Sequence, residues 1–332
     1  MMGEFLEIAK VMVEPGMKLL EMFGSAVGMV YEPRHIRKLA DAEAYKIKTL
    51  GAAMSETDSL PIEYDAGSLS MSTADYEDLA RRAAARTKYQ LIQEQLNMES
   101  VVWKAYQALE GAPVVTNEPQ DQDWITRYFG IVRDISTEEM QNIWSKILAG
   151  EITNPGSFSM RTLETIRNMS KKEATTFQKI VPFLIDGGGD FFVTSKATIH
   201  DKYGVTYEDM MLLDECGLIL SNGTVSMTIS VDADSTIAHN GEYCLLAKGI
   251  TKKTDITFGV YSLTTPGREL LQIIERVPNK EYFLDFAEHV FKENKLVNLE
   301  VQTVDTVKGH KVRTTGEIVR EFCRKQGTVS ML

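Results

Sequence analysis

Asp186 and Asp190 enclose three consecutive glycines, a pattern whose residue types could do chemistry. Two carboxylates beside flexible backbone could hold a metal ion or cradle a phosphate group. The segment, however, lacks the GK[ST] ending of a P-loop and does not have the GxGxxG spacing of a dinucleotide-binding turn. A connection between a helix and a strand explains the glycines more simply, and we therefore expect no cofactor here.

A second pairing of charges, Glu242 with Lys248, is similar to the acid-x-Lys end of some metal-dependent nucleases. The two residues are six positions apart and no paired upstream acid accompanies them. Three scattered cysteines and five dispersed histidines form neither a zinc cage nor a pairing of nucleophile and base. We expect no catalytic residue, metal ligand or cofactor, unless an active site assembles from residues distant in the chain.

The segment QNIWSKILAGEITNPGSFSMRT combines a helix carrying Trp144 with a Pro-Gly turn, small hydroxyl residues and a lone arginine. On the structural interpretation it is a packed corner. Ser157 and Ser159 would cap the following helix, and Arg161 would pair with a carboxylate such as Glu151. The alternative is that Arg161 binds an anionic ligand at this corner. A catalytic loop is disfavoured because no histidine is near in sequence to act as a base.

Helices are expected to position these residues. An N-terminal amphipathic segment covers 1–60, and residues 61–71 indicate a loop. A long helix is expected over 72–111, whose interior has neither glycine nor proline. A helical bundle then covers 121–186. Its helices are joined by tight corners, which is typical of a packed bundle.

Two capping boxes mark the helix starts in this bundle. Ser136 precedes Glu139 by three residues, and Ser170 precedes Glu173 by three. In each pair the hydroxyl can accept the amide hydrogen of the glutamate while the carboxylate returns to the serine amide. Both pairs therefore predict the start of a helix.

The periodicity changes after the glycines, and 187–332 is expected to form a winged-helix-like α+β domain with a basic tail. Its order is helix, strand, two helices, hairpin and final strand. The hairpin is enlarged into a long β wing with a polar tip at 232–243. The fold class is therefore mainly α with a smaller α+β part: an N-terminal helical arm and helical bundle, followed by a winged-helix-like domain with an enlarged β wing.

Basic residues gather at the end of the chain and form a possible nucleic-acid contact: Lys308, Lys311, Arg313, Arg320, Arg324 and Lys325. The whole chain has a formal net charge of −11, which argues against a protein that coats nucleic acid. The expected recognition helix at 206–216 has four acids and no lysine or arginine. Nucleic-acid binding is therefore an alternative that the sequence does not favour.

Apolar residues over 5–30 and basic residues up to position 38 leave two interpretations of the N-terminal segment. The first is a helix buried against the rest of the protein. The second is an amphipathic segment that lies on an anionic membrane surface through residues 5–38. The longest uncharged run, 22–31, has ten residues, whereas a span needs about twenty. We expect a cytoplasmic protein, with peripheral membrane association as the alternative.

Several blocks resemble a family of uncharacterised bacterial proteins, among them YEPRHIRKLADAEA, QEQLNMESVVWKA and the stretch from DWITRYFG to KKEATTF. The WSKILAG helix, its turn and the following helix are also similar, more distantly, to the abortive-infection alpha proteins of bacteria. That resemblance implies a bacterial, cytoplasmic, antiviral context and supplies no catalytic residue.

From these observations we expect a non-enzymatic interaction or scaffold protein of a bacterial antiviral, abortive-infection-like or stress response. Its partner would be another protein or further copies of the chain. The first alternative is a membrane-acting effector that uses the N-terminal segment. The second is a nucleic-acid-binding regulator that uses the basic end.

Overall fold

The computed structural model describes residues 12–28, 62–65, 68–71, 79–116, 120–221, 225–232, 235–250, 252–294, 296, 298–309 and 311–324. The chain divides into two compact units, unit 1 over Met1–Leu163 and unit 2 over Glu164–Leu332. The expected bundle at 121–186 contains this division. Residues 1–11 and 29–60 of the expected N-terminal segment, and the basic residue Lys325, lie outside the described residues.

Unit 1 is built mainly of helices. They are α1 (Pro15–Val27), α2 (Leu79–Ala108), α3 (Gln122–Val132), α4 (Glu138–Thr153) and α5 (Met160–Asn168), which spans the boundary between the units. Helix α2 occupies most of the expected 72–111; residues 72–78 are not described. The strand β1 (Met12–Val13) pairs antiparallel with β4 (Val115–Thr116).

Residues 62–65 and 68–71 correct the loop expected over 61–71. Strands β2 (Ile62–Asp65) and β3 (Ser68–Met71) form an antiparallel hairpin. The sequence PIEYDAGSLSM hides this because it contains the turn residues of a loop and only a short alternation. A hairpin of four residues on each strand depends on cross-strand pairing, which is not visible in a local pattern.

Helix α1 begins and ends with local signals and buries its apolar side. Pro15 occupies the first turn, where its missing amide donor costs nothing. Gly28 ends the helix with φ of 69°, and its amide bonds to the carbonyl of Gly24. Leu19 and Phe23 are fully buried, and the Phe23 ring lies 5.3 Å from that of Phe129. The described part of the N-terminal segment is thus a helix packed into unit 1.

Unit 2 combines helices with antiparallel strands. Its helices are α6 (Lys171–Ile180), α7 (Ala197–His200), α8 (Tyr207–Glu215), α9 (Thr265–Leu271) and α10 (Lys280–Glu293). Its strands are β5 (Ile185–Asp186), β6 (Phe191–Thr194), β7 (Ile219–Leu220), β8 (Ser226–Val231), β9 (Thr236–His239), β10 (Tyr243–Lys248), β11 (Thr254–Leu263), β12 (Asn298–Lys308) and β13 (Lys311–Cys323).

These strands form one nine-stranded antiparallel sheet in the described residues. The order is β13-β12-β10-β9-β5-β6-β11-β7, and β8 also pairs with β11. Near one end of this order, β11 lies between β6 and β7. Tyr261 of β11 lies opposite Val193 of β6, and Ser262 of β11 lies opposite Leu220 of β7. The fold is therefore a helical unit followed by a unit in which helices accompany a large antiparallel sheet.

Aromatic residues pack α10 onto the sheet. Phe286 contacts Phe192 of β6 and Phe258 of β11, with ring centroids 5.7 and 5.2 Å apart. The Tyr282 hydroxyl accepts a hydrogen bond from the Thr194 amide at 3.0 Å, and burial raises the pKa of this tyrosine far above its usual value. The helix is thereby fixed to β6 by both apolar area and a buried hydrogen bond.

One capping box is confirmed and the other is wrong. Ser170 accepts the Glu173 amide while Glu173 accepts the Ser170 amide at 2.5 Å, so α6 starts as expected. Helix α4 instead begins at Glu138 with Thr137 at the N-cap position and no side-chain cap. The helix starts one residue later than the Ser136 box requires, which places that serine outside the capping position.

Two strands were missed where the sequence is polar. The tip expected at 232–243 contains β9, which lies between β5 and β10 in the sheet. The basic end contains β13, which pairs with β12 from Lys311 opposite Lys308 to Cys323 opposite Asn298. Both strands are held by their neighbours in the sheet, so the tail of the domain is an extended hairpin.

Candidate functional site

The corner between α4 and α5 is organised by one buried carboxylate. Glu151 lies in the last turn of α4 and is 4% exposed. Its Oε1 accepts a hydrogen bond from the Gly156 amide at 2.6 Å, and its Oε2 accepts one from the Phe158 amide at 3.1 Å. Hydrogen bonds to an ionised acceptor are roughly twice as strong as neutral ones. The Pro-Gly turn is thereby tied back onto the helix that precedes it.

Aromatic residues of α3 and α4 pack beside this turn. Trp124 Nε1 donates to the Phe158 carbonyl at 2.7 Å, and the Tyr128 hydroxyl donates to the Trp144 carbonyl at 2.7 Å. The Tyr128 ring stacks on Trp124 at 5.0 Å and meets Trp144 edge-on at 5.6 Å. Trp144 is fully buried, and burial raises the pKa of Tyr128 well above its usual value. The tyrosine therefore remains a hydrogen-bond donor.

The two serines of the corner are used within the turn and the next helix. The Ser157 hydroxyl donates to the Asn154 carbonyl, within the turn itself. The Ser159 hydroxyl accepts the Thr162 amide at 3.3 Å and lies 3.1 Å from the Thr162 hydroxyl, so it caps α5. These contacts give each hydroxyl a role in the backbone geometry of the corner.

Arg161 lies in the first turn of α5 with an exposed side chain. Glu151, the carboxylate that we expected to pair with Arg161, accepts an amide hydrogen bond at each of its two oxygens. Two backbone amides of the turn thus find their hydrogen-bond acceptor in this buried carboxylate. The arginine is thus at the surface rather than inside the corner.

The basic residues at the end of the chain lie on the β12–β13 hairpin, whose charge is nearly balanced. Residues 298–324 contain five basic and four acidic side chains. Arg313 Nε lies 3.8 Å from an oxygen of Asp305, which the neighbouring strand supplies. The basic residues at the end of the chain are compensated by the acids of β12, because strand pairing places these acids beside the bases of β13.

The members of this basic set occupy different environments. Lys308 and Lys311 face each other at the hairpin end, and both are exposed. Arg320 lies over the Phe322 ring at 5.1 Å. Arg324 donates to the carbonyls of Phe291 and Lys292, so it caps the end of α10. The structure therefore divides the set into hairpin residues and one helix-capping residue.

Helix α8 presents an acidic and aromatic outer face. Tyr207 is 58% exposed, and Glu208 and Glu215 are also exposed. The other two acids of this helix are engaged inside unit 2. Asp209 lies 2.6 Å from Lys179 Nζ, and Asp214 accepts the Ser221 hydroxyl at 2.8 Å. Tyr207, Glu208 and Glu215 define what we call the α8 face.

The two engaged acids also fix the position of α8. Burial alone would raise the pKa of Asp209, but hydrogen bonds from Lys179 and from the Thr206 amide lower it below its usual value. Thr206 and Asp209 form a capping box at the start of the helix. The α8 face is therefore presented by a helix that is anchored at its N-terminal end.

The three glycines at 187–189 form a turn beside a buried cluster of charged residues. The sequence did not predict this cluster. Asp186 Oδ1 accepts the Gly189 amide at 2.6 Å, while its Oδ2 lies 3.6 Å from His239 Nε2. Asp190 instead pairs with Arg268 at 3.0 Å. The two aspartates therefore have separate partners and separate roles. Gly189 has φ of 105°, a conformation that glycine adopts easily.

Arg276 completes this buried cluster. Its Nη2 donates to the Asn240 carbonyl, and its guanidinium lies 5.4 Å from the Phe191 ring centre. Burial lowers the pKa of His239, an effect partly opposed by Asp186, and burial also lowers the pKa of Arg276. Asp186, His239 and Arg276 lie far apart in the sequence, and no local pattern links them. The pairing of β5 with β9 places Asp186 opposite His239, and Arg276 joins them through its hydrogen bond to Asn240, the residue after His239.

Two further features of the described ranges concern metal binding and membrane insertion. No group of three or more histidine, cysteine, aspartate or glutamate residues there could hold a metal ion. Within the same ranges, no helix combines the length and the apolar character that crossing a bilayer requires. Burial raises the pKa of Cys244 to about 11, so this thiol is unreactive as a nucleophile at neutral pH.

Comparison with known proteins places the chain in a family. A family model described as a protein of unknown function (DUF2806) matches residues 81–287, which is more than half of the 332 residues. No curated protein and no solved structure matches the chain. The matched region includes the packed corner, the α8 face and the buried charged cluster. The chain therefore belongs to the DUF2806 family of proteins of unknown function.

Proposed function

We propose that the chain is a non-enzymatic interaction protein, a scaffold of a bacterial antiviral response of the abortive-infection type or of a stress response. The α8 face is the observation that carries this proposal. An exposed tyrosine beside exposed glutamates on an anchored helix suits a contact with a protein that presents basic residues.

Unit 2 supports a winged-helix interpretation of this surface. The chain runs β6, α7, α8, β7 and then β11, and β11 lies between β6 and β7 in the sheet. Strands β8, β9 and β10 fall between β7 and β11, where an enlarged wing would be inserted. In winged-helix and related DNA-binding proteins, the second helix of the pair enters the major groove. Helix α8 occupies that position in the order.

The charge of α8 favours protein over nucleic acid as the partner. Tyr207, Glu208 and Glu215 would meet a phosphate backbone with negative charge, because the helix carries no lysine or arginine. The same residues complement a basic protein surface, and tyrosine is enriched among residues that dominate interface energies. A winged-helix unit whose recognition helix is acidic is therefore suited to act as an adaptor between proteins.

The two alternatives have weaker support. A membrane-acting effector would need an apolar N-terminal face, but Leu19, Leu20 and Phe23 of α1 are buried within unit 1. A nucleic-acid-binding regulator would need net positive charge on the β12–β13 hairpin, where acids and bases nearly cancel. The resemblance of the WSKILAG helix and its turn to abortive-infection alpha proteins supports the antiviral setting.

The test compares phage plating and co-purified proteins for the full chain and for a variant of the α8 face. The variant carries Tyr207→Ala, Glu208→Lys and Glu215→Lys. The control carries Glu275→Lys and Glu317→Lys, two exposed acids outside this face. We expect the wild type and the control to reduce phage plating and to retain one partner protein. The α8 variant should lose both while keeping its melting temperature. Equal protection by the α8 variant would contradict the proposal.

A further inference from the structure

A cavity of about 300 Å³ lies in unit 1, between the start of α1 and the end of α2. Ligand pockets in proteins range from roughly 300 to 1,000 Å³, so this one suits a single side chain or a small molecule. Met17 is 46% exposed and the glutamates of the lining are exposed, so the cavity opens to solvent. Its principal lining residues are Glu14, Gly16, Met17, Trp103, Tyr106 and Glu110.

Two aromatic rings form one wall of this cavity. Trp103 and Tyr106 lie one turn apart on α2, with ring centroids 6.2 Å apart and planes inclined by 8°. A Cβ atom at Gly16 would lie 2.8 Å from Cε2 of Tyr106. The glycine therefore lets the tyrosine ring lie directly against the start of α1. The faces of tryptophan and tyrosine rings attract cations through their quadrupoles.

Negative charge surrounds this aromatic wall. Glu14 and Glu110 contribute carboxylates from the two helices. Helix α2 ends at Ala108 and has no basic residue in its last turn, while the amides of Leu109 and Glu110 donate to carbonyls of that turn. Carboxylates and aromatic faces each favour a cationic group. The two carboxylates also disfavour phosphates and other anions.

We propose that this cavity binds the guanidinium group of an arginine side chain carried by a partner protein. A planar guanidinium can stack on Trp103 and Tyr106 while its five N–H donors reach the carboxylates of Glu14 and Glu110. A lysine ammonium matches the charge but neither the planar shape nor the donor geometry. The inference rests on the proposed interaction function, but it concerns unit 1 and not the α8 face.

The experiment is a titration of the full chain, observed by saturation-transfer NMR, with blocked Gly-Arg-Gly, Gly-citrulline-Gly and Gly-Lys-Gly peptides and with free arginine. We expect saturable binding of the arginine peptide, weaker binding of the lysine peptide and of free arginine, and none of the neutral citrulline peptide. Citrulline has nearly the same shape as arginine, so it isolates the charge. Equal binding of citrulline and arginine peptides would overturn the proposal.

Variants locate the binding in the cavity. Glu110→Gln and Trp103→Leu should each weaken the arginine peptide about threefold to fivefold, because each removes one exposed electrostatic contact. Glu139→Gln, an exposed acid on α4, is the matched control and should leave the affinity unchanged. Unchanged affinity in the Glu110 and Trp103 variants, or tighter binding of lysine or free arginine, would overturn the assignment.

The two proposals fail separately. The α8 variant should bind the arginine peptide as the wild type does, because its substitutions are all in unit 2. An α8 variant that loses phage protection but still binds the arginine peptide would therefore support the role of the α8 face. Absence of peptide binding in a chain that still protects would overturn the cavity proposal alone.

Discussion

Trp124 donates a hydrogen bond from its indole nitrogen to the carbonyl oxygen of Phe158 at 2.7 Å. The amide of the same Phe158 donates to the buried carboxylate of Glu151. Phe158 is therefore held at both of its backbone polar groups, and its side chain is 2% exposed. This arrangement makes the corner after α4 a structural element, fixed from α3 and from α4 together.

Replacing Glu151 with glutamine should destabilise unit 1. The change removes the negative charge and turns an NH₂ group, itself a donor, toward the amide of Gly156 or of Phe158. One of the two buried hydrogen bonds is therefore lost, which costs about 2 to 3 kcal/mol in the free energy of unfolding. Denaturant unfolding followed by tryptophan fluorescence measures it, because all three tryptophans, Trp103, Trp124 and Trp144, lie in unit 1. Glu139→Gln is the control. A loss no larger than that of the control would mean that Glu151 does not hold the corner.

Gly150→Ala and Gly130→Ala should change stability in opposite directions. A Cβ at Gly150 would lie 2.8 Å from the ring of Phe158, which is buried and has little room to move. Overpacking there should outweigh the helix preference of alanine and cost about 1 kcal/mol in net free energy of unfolding. At Gly130 a Cβ meets open space, so the same change should stabilise α3 by up to about 1 kcal/mol. Stabilisation by both substitutions would show that Phe158 is loosely packed.

The buried His239 should make unit 2 less stable in mild acid. Its pKa is lowered by burial, and its Nδ1 has no hydrogen-bond partner within the described part of the chain. An unfolded histidine titrates near pH 6.5, so below that pH the unfolded chain binds more protons than the folded one. The free energy of unfolding should therefore fall as the pH decreases from about 7 through the lowered pKa.

His239→Gln should reduce this pH dependence, measured by urea unfolding followed by circular dichroism. The separate transition of unit 1 is identified by tryptophan fluorescence. His289, whose pKa is also lowered by burial and by Lys196, contributes in the same direction, so His289→Gln should remove a separate part of the slope. An unchanged slope in His239→Gln would mean that this histidine is protonated equally in both states.

Arg324 should stabilise the end of α10, whereas Lys308 should not. Arg324 donates to the carbonyls of Phe291 and Lys292 and lies 5.4 Å from the Phe291 ring centre. Arg324→Ala should speed amide hydrogen exchange in the last turn of α10 about twofold to fivefold, since a cation at a helix C-terminus is lost. Lys308→Ala is the control at the far end of the hairpin. Equal exchange in both variants would place Arg324 outside the helix cap.

Elements with local signals were predictable from the sequence. Helix α2 follows from a long stretch without glycine or proline, and α6 follows from the Ser170 and Glu173 capping box. Strands β9 and β13 were not predictable, because their polar residues become strands through pairing with distant segments. The enlarged sheet is therefore the part of the fold that depends most on non-local contacts.

The candidate sites divide in the same way. The corner residues are neighbours in sequence, so their grouping was predictable, although the hydrogen-bond donors to Glu151 were not. Asp186 and His239 meet because β5 pairs with β9, and Arg276 reaches them from the segment after α9. The cavity of unit 1 needs Glu14 beside Trp103, two residues that are joined by the packing of α1 against α2. Such sites require the tertiary structure before their chemistry can be stated.

The most direct test of the proposed interaction function is native mass spectrometry of the chain purified from phage-infected and uninfected bacteria. We predict an infection-dependent complex that contains a second protein and that is lost when Tyr207→Ala, Glu208→Lys and Glu215→Lys are introduced together. The Glu275→Lys and Glu317→Lys control should retain it. An identical complex in the α8 variant, or a complex that contains only nucleic acid, would contradict the account.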